Sequence, residues 1–221
     1  MKRSKINELI IEAIELLNNH QFYLPKFAYW RLKEWESKEN EIEGIIEQQL
    51  GWDITDYGSG NFSELGLIHF TIRNGNVQEI ERGGKPYCEK IMILDQGQAT
   101  PIHHHRQKIE DIINRGNGIL CVQIYSKTID NKLGNSLVVI SIDGVKKTVE
   151  SGTIIELEPG QSVTLKPDHF HKFWGKEGTV QKFLIGEVST VNDDYTDNCF
   201  LNNIRRFTEI EEDEPPMYLL Y

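Results

Sequence analysis

The spacing of apolar residues divides the chain into two zones. Up to about residue 50 the period is helical. Ile6, Leu9, Ile10, Ala13, Ile14 and Leu17 recur three and four apart and make one apolar helix face. Ser4 is the expected N-cap, and Pro25 ends this unit or starts the next. A second helical stretch runs through Ile42, Ile45, Ile46 and Leu50, with Gly51 placed to end it in a left-handed conformation. From Trp52 onward the period becomes two. Short runs at 65–72, 89–94, 119–126, 136–142, 145–150, 153–157, 161–166 and 179–188 read as strands. Asn74-Gly75, Asn117-Gly118, Asp143-Gly144 and Pro159-Gly160 supply turns between them. Many short strands joined by tight turns predict a sandwich or double-sheet jelly roll. The expected division is a helical extension over 1–51 and a β-barrel over 52–221, one domain overall.

Composition narrows the function classes. The 221 residues include 34 acidic and 24 basic side chains, for a formal charge of −10, which argues against nucleic acid or an anionic membrane as partner. No segment reaches the roughly 20 apolar residues of a membrane helix. Cys88, Cys121 and Cys199 are far apart and have no CxxC spacing, so they read as thiols in a reducing compartment. A cytoplasmic protein is expected. The acidic run near 209–214 reads as a solvated loop.

The chemistry concentrates in GQATPIHHHRQKIEDIINRGNG, residues 97–118. On a strand, side chains two apart share a face, so His103 and His105 point together and His104 points away. Glu110 follows closely enough to bring a carboxylate beside both imidazoles. Two imidazoles and one carboxylate form a facial ligand set with open positions. A further ligand is expected from a second strand in GQSVTLKPDHFHKFW, residues 160–174. His169 and His171 are again two apart, and spacing alone does not choose between them.

These two stretches resemble the paired motifs of the cupin superfamily. Gly97, His103, His105, Glu110 and Gly116 match the first motif, and the interval from Gly160 to His171 matches the second. That resemblance implies a cupin double-stranded β-helix (jelly-roll barrel), an all-β core with an N-terminal α-helical extension, and His171 as fourth ligand. A more specific set of blocks resembles the bacterial D-lyxose isomerase family. They are LGWDITDYGSGNF (50–62), EKIMI with Lys90, HxHxxKxEDIINRG (103–116), HKFWGKEGT (171–179), GEVSTVNDD (186–194) and RRFTEIEEDEPP (205–216).

The resemblance implies an aldose–ketose isomerase that interconverts D-lyxose and D-xylulose, and D-mannose and D-fructose, by metal-assisted cis-enediol proton transfer. Mn2+ is the cation it implies, although imidazole and carboxylate ligands also suit other divalent transition metals. Glu187 is the first candidate for the base, because it ends an alternating strand face with Phe183 and Ile185. Lys108 and Lys90 are candidates to hold a hydroxyl or a developing oxyanion. Asp193, Asp194 and Arg205 are candidate sugar contacts, with Arg206 behind them and Glu211 as reserve base. The expected partner is a small neutral aldose or ketose, and the expected assembly is a homodimer. Three other readings compete: a dioxygenase with the same three-His, one-Glu set, a phosphosugar isomerase using Arg106 and Lys108, and a non-catalytic sugar-binding cupin.

Overall fold

The computed structural model describes residues 1–38 and 41–221. Residues 39–40, inside the predicted helical extension over 1–51, lie outside the described residues. Among the described residues three α-helices precede the strands: α1 (Arg3–Asn19), α2 (Leu32–Glu36) and α3 (Glu43–Glu47). The strands are β1 (Gly51–Thr55), β2 (Leu67–Arg73), β3 (Tyr87–Asp95), β4 (His103–His105), β5 (Glu110–Asn114), β6 (Leu120–Ser126) and β7 (Val138–Ile142). They continue with β8 (Val145–Val149), β9 (Thr153–Leu157), β10 (Ser162–Leu165), β11 (His169–Gly175), β12 (Lys182–Thr190) and β13 (Asn198–Phe200).

Every strand pairing between these elements is antiparallel, and the strands form two sheets. The larger runs β1-β2-β3-β12-β5-β10-β7-β8 and the smaller β13-β4-β11-β6-β9. Non-consecutive neighbours such as β3-β12 and β4-β11 are the crossovers of a jelly roll, the cupin-type all-β architecture that the sequence predicts. Asp143 (φ 48°) and Gly144 (φ 83°) form the two-residue turn joining β7 to β8, both in the left-handed region that such hairpins require. The motif glycines Gly97 and Gly160 also take positive φ, near 90°, where any side chain would strain the backbone.

Strand alternation separates two cores. Met92, Leu94, Ile112, Val163 and Ile185 of the larger sheet meet Leu120, Val122, Leu157 and Phe173 of the smaller one between the sheets. Their neighbours Ile91, Ile93 and Leu184 point outward and join Trp52, Ile54, Ile68 and Phe70 beneath α1. The predicted stripe of α1 covers this outer face, with Ile6, Leu9, Ile10 and Leu17 at most 2% exposed. Burial of each stabilises by about 1.5–3 kcal/mol. The helical segment is therefore a third layer that shares a core with the barrel.

Three local expectations change. Ser4 is not the N-cap of α1; Lys2 is, and Ser4 donates both its N–H and its hydroxyl to Asp213. The acidic run is not simply solvated: Glu212 pairs with Arg3, and Glu214 accepts from Asn7. Carboxylates are stabilising at a helix N-terminus, so this run fastens α1 to the end of the chain described. Gly51 does not close the second helical stretch. α3 ends at Glu47, Gln49 takes the left-handed conformation (φ 54°), and Gly51 opens β1.

Candidate metal centre and active site

β4 lies between β13 and β11, with His103 opposite His171 in register. His103 and His105 point into the barrel, while His104 turns away and packs on Phe170 (ring centroids 4.6 Å apart). Glu110 opens β5 of the facing sheet, so the carboxylate approaches the imidazoles from the opposite layer. Ligand atoms of His103, His105, Glu110 and His171 all lie within 4.8 Å of one another. Glu110 Oε1 is 3.0 Å from His171 Nε2 and 3.2 Å from His105 Nε2.

The remaining ring nitrogens face oxygen. Nδ1 of His103 lies 2.9 Å from Pro101 O, that of His171 3.2 Å from His169 O, and that of His105 3.4 Å from Asp197 Oδ2. Such outer partners fix the tautomer and leave Nε2 as a lone pair for a cation. His171 Nε2 is buried and, although Glu110 Oε1 lies 3.0 Å away, the geometry makes no hydrogen bond to it among the described residues. Burial, with His171 and His105 adjacent, holds the His103 imidazole well below its usual range and hence neutral. Burial pushes the Glu110 carboxyl up, but Lys108 and His105 outweigh it and keep the group ionised. Three imidazoles and one carboxylate converging on one point fit a divalent transition metal. His169 stays outside: its Nδ1 accepts from Lys166 N (3.2 Å), and its ring packs in the barrel wall beside Ser126 and Lys127.

Glu187 and Lys108 are buried in the same pocket. Lys108 Nζ lies 2.8 Å from Glu110 Oε2 and 2.9 Å from Glu187 Oε1, so one ammonium joins the candidate ligand to the candidate base. Ser189 Oγ also donates to Glu187 (3.1 Å). Burial raises the Glu187 carboxyl, yet Lys108 and Lys90 more than offset this and hold it below its usual range. Burial likewise opposes the Lys108 charge, but Glu110 and Glu187 keep it protonated to higher pH than usual. Lys108 is thus a fixed cation and unsuited to take up a proton.

Across the pocket stands a second polar group. Asp194 lies 3.2 Å from Lys90 Nζ and 3.1 Å from Arg206 Nη2, and it accepts from the Tyr221 hydroxyl. Arg206 also donates to Asp53 (2.7 Å) and contacts His69 Nε2 (3.0 Å). Of the predicted sugar contacts, Lys90 and Asp194 line the pocket; Asp193 and Arg205 do not. Asp193 spends its carboxylate on the backbone of Tyr195 and Thr196, as a loop cap. Arg205 is solvent-exposed and pairs with Glu209; its neighbour Arg206 faces the pocket instead. Glu211 is exposed at the bridge to Lys2, away from the pocket. Arg106 points outward to Thr196 O, which removes it from the pocket that a phosphosugar reading needs. Sequence reasoning passed over His69 and Asp53. Alternation held the signal, because Asp53 and His69 are the polar inward members of strands whose outward members are Trp52, Ile54, Ile68 and Phe70.

The family model for D-lyxose isomerase matches residues 1–221. The chain belongs to the D-lyxose isomerase family. A D-lyxose/D-mannose isomerase of Serratia proteamaculans is 40% identical over 100% of this chain and 96% of its own length. The enzyme of that name from Escherichia coli O157:H7 is 38% identical over the same shares. Among solved structures, the L-ribose isomerase of Cellulomonas parahominis superposes with a TM-score of 0.64 at 14% identity, covering 96% of this chain and 98% of its own. That of Acinetobacter sp. DL28 in complex with L-ribose gives a TM-score of 0.59 at 16% identity, over 92% and 93%. At such identities these structures speak for the fold. Family membership makes the protein an aldose–ketose isomerase of sugars and sets aside the dioxygenase and binding-only readings.

Proposed function

We propose that the protein interconverts D-lyxose and D-xylulose, and D-mannose and D-fructose, by proton transfer between C1 and C2. One observation carries the mechanistic reading: Lys108 bridges Glu110, in the four-residue cluster, to Glu187 at 2.9 Å within one buried pocket. His103, His105, Glu110 and His171 would hold a divalent cation, Mn2+ in this reading, which supplies Lewis-acid stabilisation of charge on adjacent sugar oxygens. Glu187, ionised at neutral pH, takes the proton from C2 and returns it to C1 on the same face. Lys108 donates a hydrogen bond to the oxygen on which negative charge develops and stays charged throughout, while the proton of the C2 hydroxyl passes to the C1 oxygen. Lys90 and Asp194 bind hydroxyls. The 1–51 segment covers the barrel and supplies no catalytic side chain.

The test is ketose formation from D-lyxose and D-mannose in heavy water, with and without added Mn2+. Deuterium in the product supports exchange through a carboxylate. Full retention of the substrate hydrogen together with unchanged turnover in Glu187→Gln would mean a hydride shift and remove Glu187 from its role. We also propose a cytoplasmic homodimer. The apolar groove walled by Trp35, Ile45 and Leu220, with Leu32 and Ile46 exposed at its rim, supports a protein contact there. Sedimentation at monomer mass would reject the dimer.

A further inference from the structure

His69 is 2% exposed and lines the pocket. Its Nε2 is engaged, 2.9 Å from Asp53 Oδ2 and 3.0 Å from Arg206 Nη2. Its Nδ1 is buried and has no hydrogen-bond partner among the described residues. An unpaired buried polar atom costs about 1–3 kcal/mol, and native proteins leave few of them. The ring is well fixed. Asp53 faces His69 directly across the β1–β2 ladder, and Arg206 ties both to Asp194. β2 stands beyond β3 and β12 from the β5 strand that carries Glu110. His69 therefore belongs to the part of the pocket away from the metal cluster.

The surroundings limit what can complete Nδ1. Asp53 and Asp194 disfavour an anion, while Lys90 and Arg206 disfavour a cation. A neutral imidazole presents N–H at Nδ1 in one tautomer and a lone pair in the other. A hydroxyl both donates and accepts, so it satisfies either form. We propose that His69 is a specificity-determining residue whose Nδ1 hydrogen-bonds a hydroxyl on the sugar chain beyond C2, with Asp53 and Arg206 as its positioning residues. The inference rests on the sugar substrate proposed above.

The experiment uses two variants that separate the ring nitrogens. His69→Gln keeps a polar group near the Nε2 position and deletes Nδ1; His69→Asn does the reverse. Each metal-loaded protein is assayed on D-lyxose and on its 3-, 4- and 5-deoxy analogues. His69→Gln should lower kcat/KM on D-lyxose about tenfold, mainly through KM, the loss expected for one hydrogen bond. His69→Asn keeps the Nδ1 position but loses the Nε2 contacts to Asp53 and Arg206, so it should also lose activity, yet keep the wild-type preference for D-lyxose over one of the deoxy sugars. On one deoxy sugar, wild type and His69→Gln should become equal. Equal losses in both variants across all the sugars, or an unchanged His69→Gln, would overturn the proposal.

Nitrogen-labelled wild-type protein with zinc bound gives a readout that needs no variant. D-lyxose should shift the His69 Nδ1 resonance and the matching deoxy sugar should not; no shift with D-lyxose would also overturn it. Ketose formation by wild type tests the substrate reading separately. If another aldose is turned over instead, that reading falls, and the same deoxy comparison on that aldose still decides His69.

Discussion

The two polar walls of the pocket are built in opposite ways. The wall of His103, His105, Glu110 and His171 crowds three imidazoles around one carboxylate, and His171 Nε2 makes no hydrogen bond there among the described residues. The wall of Asp53, His69, Lys90, Asp194 and Arg206 is nearly saturated with its own ion pairs. An underfilled donor set is poised to gain from an incoming cation, whereas a self-paired network pays its desolvation internally and stays rigid. The first wall should govern chemistry, and the second stability and sugar fit.

The sharpest way to break this contrast is at the first wall. His171→Ala should lose bound metal and activity together, measured by metal content and ketose formation, while His169→Ala keeps both. The reverse result would move the fourth ligand to His169. Glu187→Gln should lower kcat by about 10²–10⁴ and retain metal. A metal-loaded variant with near-normal turnover would show that another group moves the proton.

At the second wall the expected losses are in stability. Arg206→Met leaves Asp53 and Asp194 buried without their main cation, and should destabilise by about 3–5 kcal/mol in urea unfolding. The adjacent Arg205→Ala, at an exposed pair, should stay within about 0.5 kcal/mol. Equal effects from the two arginines would remove the distinction drawn between them.

Acid should act on the second wall too. Burial raises the Asp53 carboxyl, but Arg206 and the His69 hydrogen bond outweigh this and lower it to about 2. A folded-state value below the unfolded one means stability present above about pH 4 and lost as pH falls toward 2, about 2 kcal/mol from this residue. Burial also lowers His69, whose contribution fades in the same direction, below about pH 6.5. Melting temperature against pH checks both. Asp53→Asn should flatten the fall between pH 4 and 2, and an unchanged slope would assign it to other carboxylates.

What could be read in advance follows from how far apart the partners lie in sequence. His103, His105 and Glu110 sit within eight residues, on strands whose alternation fixes their direction, so their convergence was legible. The place of Glu187 in the pocket was legible for the same reason, as the inward continuation of Phe183 and Ile185. Asp193 and Asp194 were not separable, because they lie in a loop without period, where a local turn claims one carboxylate and leaves the other to Lys90. Arg205 and Arg206 are the same case. The acidic run looked solvated because its partners, Arg3, Ser4 and Asn7, stand about 210 residues away.

By itself the sequence determined the helical and β zones, most of the strands, and the motif that gathers the candidate metal ligands. Those depend on period, turn chemistry and near spacing, which are local properties of the chain. Only the tertiary structure decided that α1 forms an outer layer on the barrel and that Arg206 rather than Arg205 enters the pocket. It alone brought Asp53, His69, Asp194 and Tyr221 to one guanidinium. Such contacts arise where loops and distant strands meet, and there the burial of charge, not the backbone period, selects which side chain turns inward.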